Sequence, residues 1–110
     1  MCVYRIWFGE KYYIGSTVDL IMRMKWHYQS INSCFAGNRV GQNSQTNIMN
    51  HLIDNPEITE GLVEILCFGK TERELVTLEK EWLLPVYGHP DCLNERSHTT
   101  RRIDGVLVRD

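Results

Sequence analysis

Two runs rich in aromatic and β-branched residues, residues 2 to 8 (CVYRIWF) and 11 to 14 (KYYI), are separated by Gly9-Glu10 alone. A two-residue connection with glycine in its first position matches the tight turns whose twist suits a β-hairpin. The chain therefore opens on an antiparallel pair, and its fold must be built on a sheet. With a two-residue loop, Phe8 faces Lys11, Ile6 faces Tyr13 and Tyr4 faces Gly15. Alternation along the strands places Tyr4, Ile6 and Tyr13 on one face, with the two tyrosines as diagonal neighbours. Gly15, opposite Tyr4, leaves space where a side chain would otherwise stand.

A helix is expected next. Ser16 or Thr17 can cap it, Asp19 suits its first turn, and Leu20, Met24, Tyr28 and Ile31 form its apolar stripe at helical spacing. Arg23 and His27, four apart, lie side by side on one edge of that stripe. Residues 32 to 45 (NSCFAGNRVGQNSQ) read as a long surface loop. Residues 47 to 54 read as a short helix stopped by Asn55-Pro56, and residues 62 to 68 (LVEILCF) as a third, more buried strand. Thr71 followed by Glu74 forms a capping box that opens a helix over 72 to 84, before Pro85. In the tail, Asp104-Gly105 can turn a small terminal hairpin. The sum is an α+β domain over residues 1 to 95, with residues 96 to 110 as a C-terminal extension packed on it.

At 110 residues, 43% hydrophobic and 24% charged, the composition is that of one globular domain and excludes a disordered chain. No run approaches the roughly 20 apolar residues that cross a bilayer, and the N-terminus carries no apolar signal core. A soluble, cytoplasmic protein with no membrane partner is expected. Cys2, Cys34, Cys67 and Cys92 form no CxxC pair and have no His at zinc-like spacing, so reduced and mostly buried thiols are expected. The net charge of −2 conceals an asymmetry, with +3 in residues 1 to 50 and −5 in residues 51 to 110. A polyanion would be met by the first half.

One carboxylate stands on an unexpected face. With Leu75 at zero on a helical wheel, Leu78, Trp82, Leu83 and Val76 span about −60° to 100°, and Glu79 falls among them at about 40°. An ionised carboxylate buried without a partner costs several kcal/mol. Either a core Arg bonds Glu79, or the helix is rotated to lift it to the rim, or it serves a metal or catalytic role. Arg23 and His27 can likewise be a solvated pair or part of a site, and Tyr4 and Tyr13 can be sheet packing.

Taken together, these residues resemble the GIY-YIG nuclease superfamily. Cys2-Val3-Tyr4 stands where the first motif, Gly-Ile-Tyr, would be and keeps its Tyr. Tyr13-Ile14-Gly15 is the second motif, followed by Arg23 and His27 in a helix as in homing-endonuclease-like members. Leu78-Glu79-Lys80-Glu81-Trp82-Leu83 matches the family's acidic helix, and Asn94 its closing Asn. The resemblance spans residues 2 to 94 and implies a small three-stranded antiparallel sheet flanked by helices.

It also implies a chemistry, metal-dependent endonucleolytic hydrolysis of DNA phosphodiesters. Glu79 would hold one Mg²⁺ or Mn²⁺, and Arg23 would stabilise charge on the phosphoryl group. Tyr4, Tyr13 or His27 would take the proton from water, and Asn94 would position a phosphate or a Tyr hydroxyl. Gly15 would allow close approach of the substrate, while Lys11, Lys25 and Arg39, with Arg101-Arg102, would contact phosphates. Sequence recognition would need a homodimer or an accessory specificity protein, and a phage or mobile-element origin would fit. A weakly catalytic nucleic-acid-binding module, a nuclease for RNA or branched DNA, and an interaction protein with accidental motif matches remain the alternatives.

Overall fold

The computed structural model of the chain describes residues 1–35, 46–94, 100–103 and 106–109. Strands β1 (Cys2–Phe8), β2 (Lys11–Thr17) and β3 (Leu62–Phe68) form an antiparallel sheet in the order β2-β1-β3. Helices α1 (Leu20–Phe35) and α2 (Thr46–Asp54) lie between β2 and β3 in sequence, and α3 (Glu72–Leu83) follows β3. The architecture is the expected α+β arrangement. Strands β4 (Thr100–Ile103) and β5 (Val106–Arg109) pair as the expected terminal hairpin, whose turn lies outside the described residues. The segment 36–45, with Arg39 and most of the anticipated loop, lies outside them as well.

The hairpin register is the one the two-residue loop dictates, with Phe8 opposite Lys11, Ile6 opposite Tyr13 and Tyr4 opposite Gly15. Gly9 takes φ of 71°, a value that L side chains adopt only with strain, which is why glycine stands at this turn. At α3, Thr71 Oγ1 accepts from the Glu74 amide at 3.1 Å. The Glu74 carboxylate accepts in turn from the Lys70 amide, so the capping box closes one residue before the cap.

Several expectations are corrected. Strand β2 runs on to Thr17, and Asp19 caps α1 by accepting from the Met22 amide at 3.1 Å, so neither Ser16 nor Thr17 is the cap. Helix α1 continues to Phe35, through the first residues of the anticipated loop. Its inward stripe is Leu20, Met24, His27 and Ile31: His27 is 4% exposed, while Tyr28 is 71% exposed. Relative to the hydropathy stripe the helix is turned by a fraction of a residue, bringing the imidazole in and the phenol out. Strand β3 is mostly exposed rather than more buried, with Phe68 at 73%. The topology explains this, because β1 holds the centre of the sheet and the helices pack chiefly on β1 and β2.

Two cores result, one on each face of the sheet. Tyr4, Ile6 and Phe8 pack with Ile48, Leu52 and Leu93 on one side, and Val3, Tyr12 and Ile14 with Leu75 and Leu83 on the other. Ile48, Leu75 and Val3 are wholly enclosed, and truncating such a side chain to Ala typically costs about 2–5 kcal/mol for Ile or Leu. Residues 91–94 run alongside β2 and cover its outer edge. Tyr12 donates to the Asp91 carbonyl at 2.8 Å, and Leu93 donates to the Tyr12 carbonyl at 2.7 Å. Cys2, Cys67 and Cys92 are free thiols, Cys2 buried and the other two half-buried. No helix among the described residues is long and apolar enough to cross a membrane.

Candidate active site

Tyr4 projects from the central strand across the gap left by Gly15. A Cβ at Gly15 would lie 2.5 Å from the Tyr4 hydroxyl oxygen and 3.2 Å from Tyr13 Cε1, so this position admits no side chain unless a ring moves. Beyond the gap, the Tyr4 hydroxyl and His27 Nε2 share a buried hydrogen bond of 2.9 Å. The Tyr13 ring stands edge-on to the imidazole with centroids 5.5 Å apart, and Trp26 approaches it at 5.0 Å. Three aromatic rings and one hydrogen bond therefore fix the orientation of His27. The tyrosines and His27 form one cluster rather than scattered packing.

The protonation states follow from this burial. His27 is lowered to about 4, by desolvation first and by the Arg23 charge second, so it is a neutral imidazole at pH 7. Burial also pushes the Tyr4 hydroxyl well above the ordinary tyrosine value; Tyr13 adds to the rise, Arg23 opposes it and Glu79 adds again. Tyr4 is thus a hydroxyl, not a standing phenolate. The same balance shows that the charges of Arg23 and Glu79 both reach the Tyr4 hydroxyl, one from α1 and one from α3.

Glu79 lies one turn after buried Leu75 and Val76 and one turn before buried Leu83, and is itself half-buried. Trp82, expected on the inward face, is 39% exposed. The helix is rotated toward Val76 and Leu83, and Glu79 stays on the covered side. Among the described residues neither Glu79 nor Arg23 forms an ion pair, and no core Arg bonds the carboxylate. Also among the described residues, no three or more His, Cys, Asp or Glu gather into a metal cage. A cation held at Glu79 with few protein ligands would keep most of its waters.

Asn94 is held by the main chain of β2. Its Oδ1 accepts from the Ile14 amide at 2.9 Å and its Nδ2 donates to the Ile14 carbonyl at 2.8 Å. The side chain thus continues the pairing of residues 91–94 along β2 and holds the main chain next to Gly15. Through these two bonds it clamps the strand. Lys11, at the turn end of β2, is about 13 Å along the strand from Gly15 and lines a separate polar cleft with Asn50, His51 and Asp54. Lys25 is exposed on α1.

Sequence reasoning missed Trp26. Its ring packs on His27, and the Arg23 guanidinium carbon lies 5.5 Å from its centroid. The signal was present, because Trp26 is three residues after Arg23 and adjacent to His27 on a helix that must turn His27 inward. No protein-family model matches the chain, and neither a curated protein nor a solved structure is significantly similar to it.

Proposed function

We propose that the chain is a metal-dependent endonuclease of the GIY-YIG type, cleaving DNA phosphodiesters at the cluster of Tyr4, Tyr13, Arg23, His27 and Glu79. The observation that carries this reading is that, among the described residues, neither Arg23 nor half-buried Glu79 forms an ion pair, while the charges of both act on Tyr4, whose hydroxyl is in a buried hydrogen bond with His27. An ion pair would serve stability better than two charges held apart, whereas a phosphate and its counter-cation would satisfy both.

In this reading Glu79 would hold Mg²⁺ or Mn²⁺, which would supply Lewis-acid stabilisation to the reaction. Arg23, always charged and fork-shaped, binds the non-bridging oxygens and stabilises the charge that grows on them. The Tyr4 oxygen accepts a proton from the attacking water while the Tyr4 proton passes to neutral Nε2 of His27. Water oxygen attacks phosphorus, the bond to the 3′ oxygen breaks, and that oxygen takes a proton from solvent while His27 returns its own to solvent. Burial opposes the transfer at both ends, raising the Tyr4 hydroxyl and lowering His27, so the hand-over would occur only in concert with attack, as the charge developing on the phosphoryl group is neutralised. Gly15 leaves the space in which the Tyr4 hydroxyl works. Free thiols support a reducing, cytoplasmic setting, and a second copy or an accessory protein would supply sequence recognition.

The test is cleavage of supercoiled plasmid and of defined oligonucleotides in Mg²⁺, Mn²⁺ or EDTA by wild type and Glu79→Gln. Metal-dependent products from wild type, reduced at least about a hundredfold in a folded Glu79→Gln protein that still binds DNA, are expected. Products that persist in EDTA, or an active Glu79→Gln, would refute the assignment.

A further inference from the structure

The outer face of α1 carries a second feature that the hydrolytic cluster does not use. Around this helix, Met22, Lys25, Trp26 and Gln29 lie on one stripe, followed by Arg23 and then by buried His27. All four stripe residues are exposed, and Trp26 keeps 38% of its surface open although its ring packs on His27. Burying exposed indole is favourable, and Trp26 shares this stripe with Met22, which is 61% exposed. Charge narrows the occupant. Helix α1 contains Arg23 and Lys25 and no Asp or Glu, and the one acid at its start, Asp19, is engaged in capping the Met22 amide.

We propose that Trp26 is a stacking platform for an unpaired nucleobase next to the scissile phosphate, with Arg23 and Lys25 holding the phosphates on either side. This rests on the nuclease reading and adds a substrate class to it: strands with unpaired bases are preferred over a continuous duplex. Base-on-indole stacking is tolerant of sequence and uses exposed indole surface close to cations; Trp26 keeps 38% of its surface open, with the Arg23 guanidinium carbon 5.5 Å from its centroid and exposed Lys25 next to it in the chain. A base in an intact duplex is already stacked on both sides and cannot use the platform unless it is extruded. The contact is also geometrically tied to the reaction, since the same indole packs against the imidazole that bonds Tyr4.

The experiment measures binding of full-length protein to single-stranded DNA, single-stranded RNA and duplex DNA of equal length in EDTA. It uses wild type, W26F, W26L and W26A, each checked for folding by circular dichroism. Leu keeps apolar cover over His27 but has no π face, so W26L separates stacking from packing. Expected are roughly tenfold weaker single-strand binding for W26L and W26A, near wild-type binding for W26F, and little change on duplex. Single strands should also quench tryptophan emission in wild type and not in W26L. The DNA and RNA arms show which backbone is accepted. Equal single-strand affinity of wild type and W26L would overturn the platform and leave the nuclease reading intact. A wild type that neither binds nor cleaves any of these nucleic acids would remove both.

Discussion

Tyr4 and Arg5 are consecutive on β1, so their side chains enter opposite faces of the sheet, and each makes a short polar contact there. Tyr4 bonds His27 at 2.9 Å in the interior. Arg5 donates to Glu64 Oε1 through Nη2 at 2.6 Å and Nε at 2.8 Å, with Trp7 Nε1 adding a third bond at 3.2 Å, in an exposed setting. The Arg5 guanidinium also lies 4.7 Å from the Trp7 ring centroid and 5.4 Å from that of Tyr12. By distance the outer cluster is the stronger of the two. By its consequences it is the weaker one, because water competes for both of its charges and salt screens them. The inner pair carries no net charge, yet desolvation shifts both partners far from their ordinary values. Burial, rather than bond length, decides which cluster can hold a proton-transfer chemistry.

The pH dependence of stability should separate the two clusters most widely. His27 titrates near its ordinary 6.5 when unfolded and near 4 when folded, so the unfolded chain binds the extra proton first as pH falls. Stability that is complete above about pH 6.5 is therefore lost as pH drops toward 4, by about 3 kcal/mol in all. Denaturant titrations of wild type against His27→Gln should show that difference confined to this window. Glu64 is held below its ordinary 4.5 by its bonds to Arg5 and Trp7, so its contribution is present above that value and is lost only at lower pH. A wild-type curve that is flat between pH 6.5 and 4 relative to His27→Gln would show that the imidazole is solvated.

Replacing Gly15 by Ala attacks the inner cluster sterically. The new methyl would meet the Tyr4 hydroxyl oxygen at 2.5 Å and ring carbon Cζ at 2.7 Å, and an enclosed ring can yield only by moving off His27. A loss of about 1–3 kcal/mol, measured by chemical denaturation, is expected together with impaired cleavage. Tyr4→Phe keeps the ring and removes the hydroxyl, which should cost about 1–2 kcal/mol and should lower the cleavage rate far more than it weakens DNA binding. Arg5→Met, on the outer face, should shift the melting temperature least of these changes, shift it less still in high salt, and leave cleavage intact. An Arg5→Met protein as impaired in cleavage as Tyr4→Phe would mean that the two faces are coupled through β1.

Much of this molecule was legible in the order of its residues. A two-residue loop leaves one register open to the hairpin, so the pairing of Tyr4 with Gly15 followed from position alone. Thr71 and Glu74 mark the start of α3 because capping is satisfied within one turn. The odd position of Glu79 on its helix was visible by the same logic. Exposure of β3 was not, because LVEILCF is equally apolar at the edge of a sheet and at its centre. Nor was the choice between His27 and Tyr28, since hydropathy favours the phenol and only a partner for the imidazole reverses the preference.

Turns, caps and helical periodicity arise from interactions within a few residues, and these depend on sequence order and little else. The site depends on contacts that no local rule contains. His27 is drawn inside by a hydroxyl 23 residues away, and Asn94 finds its donor and acceptor on a strand 80 residues earlier. Each is worthwhile only once the faces of sheet and helix have met, because a buried imidazole or amide without its partner costs more than it returns. The local order of the chain set out the hairpin, the helices and the odd carboxylate; the packing of α1 against β1 and β2 brought His27 to Tyr4 and Tyr13.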